Sequence, residues 1–371
     1  MKIKSIQLEN FRNYDQISLD FDEGVNVFLG QNAQGKTNLL EAIYFLSLVH
    51  SHRTSDNQSL INQTQESAQI NGIIEKNYGE FPLDVVINQN GKKASINHLP
   101  TNRLSDYIGN FNVILFAPED LELVKGGPAI RRKFMDREFG QISANYLFSI
   151  TQYNKILKDR NLYLKKLQNK SASDLVYLDV MTEQLIESGS NIIFDRYRFT
   201  ELLEKFAKTI HSNISNNLEE LELSYKSSVE NQDVEKIANQ LRDLYFKNQN
   251  REIFQGNTLV GPHRDDLLMF INQQDAYEFG SQGQQRTVAL SIKLAEIDLL
   301  KEQIGEYPVL LLDDVFSELD SSRQTHLLKS IENKVQTFIT TPSINDLVQT
   351  LINKPKIFTI ENGNVKVENN D

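Results

Sequence analysis

One stretch limits what this chain can fold into more than any other. Gly30-Gln31-Asn32-Ala33-Gln34-Gly35-Lys36-Thr37 fits the pattern G-x-x-x-x-G-K-[ST] residue for residue. It follows an apolar run, Val25-Asn26-Val27-Phe28-Leu29, that reads as a buried strand, and it opens onto Leu39-Leu40-Glu41-Ala42-Ile43-Tyr44-Phe45-Leu46, which reads as a helix. Strand, glycine-bearing turn and helix in that order aim successive backbone N–H groups and the positive end of the helix dipole at one point. A phosphate fits there. Lys36 can reach the terminal phosphates of a nucleotide, and the Thr37 hydroxyl can hold Mg²⁺.

Composition narrows the class. The chain has 371 residues, 39% hydrophobic and 24% charged, which is globular and long enough for two or three domains. With no cysteine, neither disulfides nor Cys-based zinc sites are possible. No stretch approaches the roughly 18 apolar residues of a membrane span, and the N-terminus alternates apolar and polar residues without the core of a signal peptide. A cytoplasmic protein with no membrane partner is expected. The net charge of −11 opposes any general attraction to nucleic acid. DNA contact must then come from a local patch, and the candidate is Lys125 with Arg131-Arg132-Lys133, a cluster that also reads as a solvated helix face.

Along the chain, strand patterns fill the first 120 residues: Ile17 to Phe21, Gln69 to Ile74, Pro82 to Ile87 and Asn112 to Phe116, with Asn90-Gly91 as a hairpin turn. After Gly126-Gly127-Pro128 the period changes. Leu147, Ile150, Leu157, Leu164 and Leu167 keep helical spacing, and Leu178, Met181, Leu185, Ile192, Phe199, Leu203, Phe206 and Ile210 form a second, longer seam. Gly189 and Arg196 in that seam exclude a long coiled coil, and two helices packed as a stub arm are expected. Beyond Gly256 strands return at Leu267 to Ile271, Val309 to Leu312, Thr337 to Thr340 and a closing hairpin around Asn362-Gly363. The expected domains are 1–125, 126–252 and 253–371.

Three further stretches carry chemistry. Val309-Leu310-Leu311-Leu312 ends in Asp313-Asp314, where a parallel strand delivers side chains to a ligand crevice. Asp313 can hold Mg²⁺, and Asp314 can orient or deprotonate an attacking water. Ser281-Gln282-Gly283-Gln284 opens a helical run and suits either an anion or an ordinary N-cap. Ser317-Glu318-Leu319-Asp320 follows the acid pair. His50 and His52 flank Ser51, but no third residue is spaced to complete a metal site.

Together these stretches resemble an ABC-type ATPase head of the SMC and Rad50 superfamily. More narrowly, Leu8 to Tyr14, Ser51 to Thr54, Ala117 to Leu121, Gly126 to Pro128 with Arg131-Arg132 and Phe134, Asp159 to Asn161, and Gly261-Pro262-His263 are similar to its bacterial recombination mediators. The resemblance implies an α/β fold, an ABC-type head of mixed sheets with an inserted, mainly α-helical arm subdomain. It implies ATP and Mg²⁺ as cofactors, with Gly30 to Thr37, Thr37 and Asp313 holding them and Arg12 near the phosphates. Ser281, Gln282, Gly283 and Gln284 would be the signature motif that meets the γ-phosphate on a second copy, in an ATP-dependent homodimer. Asp320 would belong to the D-loop across the same interface, Lys36 and Asp314 would be catalytic, and Thr340-Thr341 would stand at the switch-histidine position. Asp314 replaces the usual Glu, which implies slow hydrolysis and leaves the water-activating group open. Ala33 replaces a usual Gly, at little cost if its φ is negative. His263 reads as a turn residue near the nucleotide or the interface.

The function implied is a weak, DNA-stimulated ATPase of replication and repair. It would bind single-strand/double-strand junctions and duplex DNA, work with RecR- and RecO-type mediators in recombinase loading, and serve the SOS response. A P-loop small-molecule kinase and a transporter ATPase subunit share the first motif and stay open as alternatives.

Overall fold

The computed structural model describes residues 1–230, 233–317, 319–332, 334–343 and 355–368. Glu318, within the expected D-loop, lies outside them. The chain forms two compact units: one from Met1–Leu121, Ile210–Asn217 and Arg286–Asp371, the other from Glu122–Thr209 and Leu218–Gln285.

The first unit carries two six-stranded sheets. In the antiparallel sheet, Lys2–Phe11 lies between Tyr14–Asp20 and Ser67–Lys76, and Gly79–Asn88, Gly91–Ile96 and Leu99–Pro100 continue it. Asn88 pairs with Gly91, so Asn90-Gly91 makes the tight hairpin its sequence predicts. The second sheet runs in the order Asn364–Glu368, Lys356–Glu361, Val25–Leu29, Thr337–Thr341, Val309–Asp313, Val113–Phe116. It is parallel except for its closing hairpin. Val309–Asp313 is buried along its whole length between two parallel neighbours, which explains its unbroken apolar run.

The helix Lys36–Leu48 packs against both sheets, and every residue from Leu39 to Leu48 is buried. Apart from Glu41 and Ser47 this buried stretch is apolar on every side, as such a slot requires. Its approach to the antiparallel sheet is close enough that a Cβ on Gly72 would meet Leu46 Cδ2 at 2.3 Å. The phenyl rings of Phe21, Phe28, Phe338 and Phe358 interlock where the parallel strands meet this core.

The second unit is mainly helical, with Pro128–Ile142, Ala144–Gln168, Val234–Gln255 and the bulk of Leu175–Ile214. Six residues of the expected seam, Leu178, Met181, Leu185, Ile192, Phe199 and Leu203, are in the core, while Phe206 and Ile210 are half-buried. The unit also holds a three-stranded sheet of Leu221–Lys226, Asp266–Ile271 and Gln274–Asp275. By contacts the chain changes unit at 121/122, 209/210, 217/218 and 285/286. Asp266–Ile271 goes with the helical unit because its hydrogen-bonding partner is Leu221–Lys226. No helix of the described residues is long and apolar enough to cross a membrane.

Candidate functional site

The loop Gly30 to Thr37 sits between the strand Val25–Leu29 and the helix starting at Lys36. Leu39 N is the first amide to bond back along that helix, to Gly35 O at 3.0 Å, so the preceding N–H groups are directed at the loop. Gly35 has φ 119°, and a Cβ there would meet Asn13 Nδ2 at 2.7 Å and the Tyr14 hydroxyl at 2.9 Å. Asn13 Nδ2 and Gly363 N donate to Gln34 O at 3.2 and 3.1 Å, and Asn362 N donates to Gln34 Oε1 at 2.6 Å. Two distant turns thus brace the loop. Ala33 has φ 65°, in the left-handed region, so the condition for a cheap Gly-to-Ala replacement is not met.

Lys36 reaches across the loop, its ammonium donating to the carbonyls of Gly30 at 2.6 Å and Gln31 at 2.8 Å. Burial holds its pKa below the ordinary value, while the charges of Asp314 and Asp313 pull it back up. Thr37 Oγ1 donates to Asp313 Oδ1 at 3.0 Å. A hydroxyl and a carboxylate side by side are the hard oxygen pair that Mg²⁺ takes together with phosphate oxygens, so these residues fit the ion.

The acid pair is organised by Thr340. Its hydroxyl donates to Asp313 Oδ1 at 2.7 Å and accepts from Asp314 N at 2.9 Å, because Thr340 is the register partner of Asp313 on the adjacent parallel strand. Burial raises the Asp313 pKa, against the hydrogen bonds from Thr340 and Thr37. Asp314 has φ 52°, which turns the chain as it leaves the strand.

Arg12 is bound to Glu41 by two hydrogen bonds of 2.9 and 2.8 Å and to Ser59 O at 2.7 Å. Its guanidinium is thus tied to the helix that follows the loop. Arg53 is a residue the sequence reading did not assign to the site: its Nη1 donates to Asn38 Oδ1 at 2.9 Å, one residue past Thr37, and its charge acts on Asp313. It lies within the segment Ser51 to Thr54, and its place beside Asn38 comes from folding of the chain after the helix.

Ser281 and Gln284 lie in the second unit and form a reciprocal capping box: Gln284 N donates to Ser281 Oγ at 3.2 Å, and Ser281 N donates to Gln284 Oε1 at 2.9 Å. The N-cap reading is realised. Ser281 and Gln282 are exposed at the start of the helix Gln282–Ile304, and Gly283 is half-buried. Asp320 caps the helix Ser321–Ile331 through Arg323 N at 2.9 Å and pairs with the Arg323 side chain.

The other motifs hold the second unit together. Arg131 is buried in a two-point pair with Asp266 at 2.7 and 2.8 Å, which removes it from the proposed basic patch. Arg160 joins Glu252 at 2.7 Å and Thr258 at 2.8 Å, and Arg196 joins Asp136 at 2.7 Å and Pro262 O at 2.8 Å. His263 lies in a turn of the second unit, its ring bonded to the Tyr153 hydroxyl at 2.7 Å and facing Thr258 O at 3.2 Å.

Residues 2–365 match the family described as RecF/RecN/SMC N terminal domain. The DNA replication and repair protein RecF of Ligilactobacillus salivarius is 52% identical over 372 residues, covering 100% of this chain and 98% of that protein. The solved structure of a recombination mediator protein RecF bound to ATP superposes with TM-score 0.91 at 37% identity, covering 99% of this chain and 97% of the other. The Smc head domain of Pyrococcus furiosus, at 15% identity and TM-score 0.55, shares the fold. Full-length identity and matching architecture agree: the chain belongs to the RecF family, within the RecF/RecN/SMC group of ABC-type ATPases.

Proposed function

We propose that this protein is a DNA replication and repair ATPase of the cytoplasm that works as a nucleotide-driven clamp. ATP would sit in the loop Gly30 to Thr37, its phosphates against the helix N-terminus and the Lys36 ammonium. Mg²⁺ held by Thr37 and Asp313 would neutralise charge on the phosphates. Asp314 is the base that orients the attacking water, and Thr340 fixes its backbone. Ser281 to Gln284 meet the γ-phosphate bound by a second copy, with Asp320 at the same interface, so ATP joins two heads and hydrolysis frees them. The closed dimer binds single-strand/double-strand junctions and assists RecR- and RecO-type mediators in recombinase loading and the SOS response. DNA stimulates its slow turnover.

The observation that carries this reading is the Thr37–Asp313 hydrogen bond of 3.0 Å, which joins two motifs 276 residues apart into one oxygen pair beside the loop lysine. The test separates binding from assembly. In a labelled-ATP titration, Lys36→Met is expected to lose binding, whereas Ser281→Arg keeps it and loses dimerisation and hydrolysis. Equal behaviour of the two variants would remove the trans role of Ser281.

A further inference from the structure

Arg132 and Lys133 of the basic cluster and His263 of the distant turn border one cleft of about 220 Å³ in the second unit. The helix Pro128–Ile142 contributes Arg132, Lys133 and Asp136, with Asp136 one turn on from both cations. Asn154, Arg196 and His263 complete the polar lining. Three cations thus face one carboxylate in a protein whose total charge is −11.

The carboxylate is already committed, since Asp136 Oδ1 accepts from Arg196 at 2.7 Å and from the Tyr146 hydroxyl at 2.8 Å. Arg132 donates Nη1 to Asp265 O at 2.8 Å and has no other hydrogen bond among the described residues. Lys133 is exposed and makes none among them. Burial pushes the His263 pKa down to about 4, and the repulsion of Arg264 and Arg132 adds to it, so its ring is neutral wall rather than charge. The guanidinium fork of Arg132 and the ammonium of Lys133 therefore face the cleft with donors to spare, the equipment that recognises a tetrahedral oxyanion. The cleft is below the size of typical small-molecule pockets of 300–1,000 Å³, so it suits a phosphate group and its waters, not a whole nucleotide.

We propose that this cleft is an anion site that takes one phosphate group and, on the DNA-binding reading above, holds a backbone phosphate of the DNA. Arg131 supports it indirectly: its pair with Asp266 and its bond to Gly126 O at 2.6 Å fix the start of the helix that presents Arg132.

Two assays on the full chain decide it. One is anisotropy of a labelled junction DNA with ATP present; the other is thermal melting with inorganic phosphate at constant ionic strength. Lys133→Gln, which breaks no hydrogen bond among the described residues, is expected to weaken DNA binding about fivefold, the size of one screened charge contact, and to lower the salt slope by about one. Phosphate should raise the melting midpoint of the wild type and not of Lys133→Gln or Arg132→Gln. Loss of the phosphate effect with DNA affinity intact would overturn the DNA assignment and leave a free-phosphate site. Both measurements unchanged in both variants would overturn the site itself. ATP-dependent mass is unaffected in either variant, and a wild type that binds no DNA in any nucleotide state would sink the functional reading while the phosphate assay still judges the cleft.

Discussion

Ala33 holds a backbone conformation that its own Cβ resists. At φ 65° an L-residue costs about 1–2 kcal/mol relative to the right-handed region, a strain that glycine does not feel. Ala33→Gly is therefore expected to stabilise the first unit by about 1 kcal/mol after the glycine's own chain entropy is subtracted, and to raise its melting midpoint by about 2–4 °C. Nucleotide affinity should be kept. Gly35→Ala runs the other way: at φ 119° its Cβ would press on Asn13 and Tyr14, so ATP binding should be lost in a labelled-nucleotide titration. A lowered midpoint for Ala33→Gly would show that the loop does not need a left-handed residue there. The pattern G-x-x-x-x-G-K-[ST] made the loop legible in the sequence, but its x positions are silent on φ. Thr340 was legible only as the switch-histidine position, and its bonds to the acid pair follow from strand register; the role of Arg53 was hidden, because it comes from the return of a loop.

The strand Lys2–Phe11, the turn after it and the helix Lys36–Leu48 act together through one ion pair. Burial pushes the Glu41 carboxyl up, yet the hydrogen bonds from Arg12 and Ser51 and the charges of Arg12 and His52 outweigh it and leave the pKa below the ordinary value. A depressed carboxylate contributes stability that is present above its unfolded pKa of about 4.3 and is lost as pH falls through its folded one. Arg12→Ala leaves a fully buried carboxylate without its main partner, and at pH 7 it should cost about 3 kcal/mol, the low end of such losses because Ser51 remains bonded at 2.5 Å. With burial then dominant, the Glu41 pKa moves above the unfolded value, and the deficit should shrink between pH 7 and pH 5 as the group protonates. Denaturant titrations at the two pH values check both points, and a deficit independent of pH would assign the loss to packing. Elements of this kind were visible where pattern and burial coincide, as in Val25–Leu29, Val309–Asp313 and the Asn90-Gly91 hairpin. The strand Leu221–Lys226 was not, because a six-residue alternation between two long helical runs gives no signal of the pairing that defines it.

At the scale of the whole molecule, charge sets two associations against each other. Each copy carries −11, so bringing two together opposes itself through long-range repulsion that salt screens within about 10 Å at 0.1 M. Attachment to DNA does the reverse. If each copy in a dimer places one phosphate in the cleft beside Arg132 and Lys133, two contacts give a salt slope near −1.8, and affinity falls about tenfold between roughly 50 and 200 mM salt. Assembly on ATP should hold or strengthen over that range while DNA binding weakens. Light scattering with ATP at both salt concentrations reads the first, and anisotropy of labelled DNA reads the second. The comparison discriminates because a dimer held by charge pairs across its interface would loosen in parallel with the DNA complex. A dimer closed on bound nucleotide by Ser281 to Gln284, against the resistance of its own acidic surface, would not.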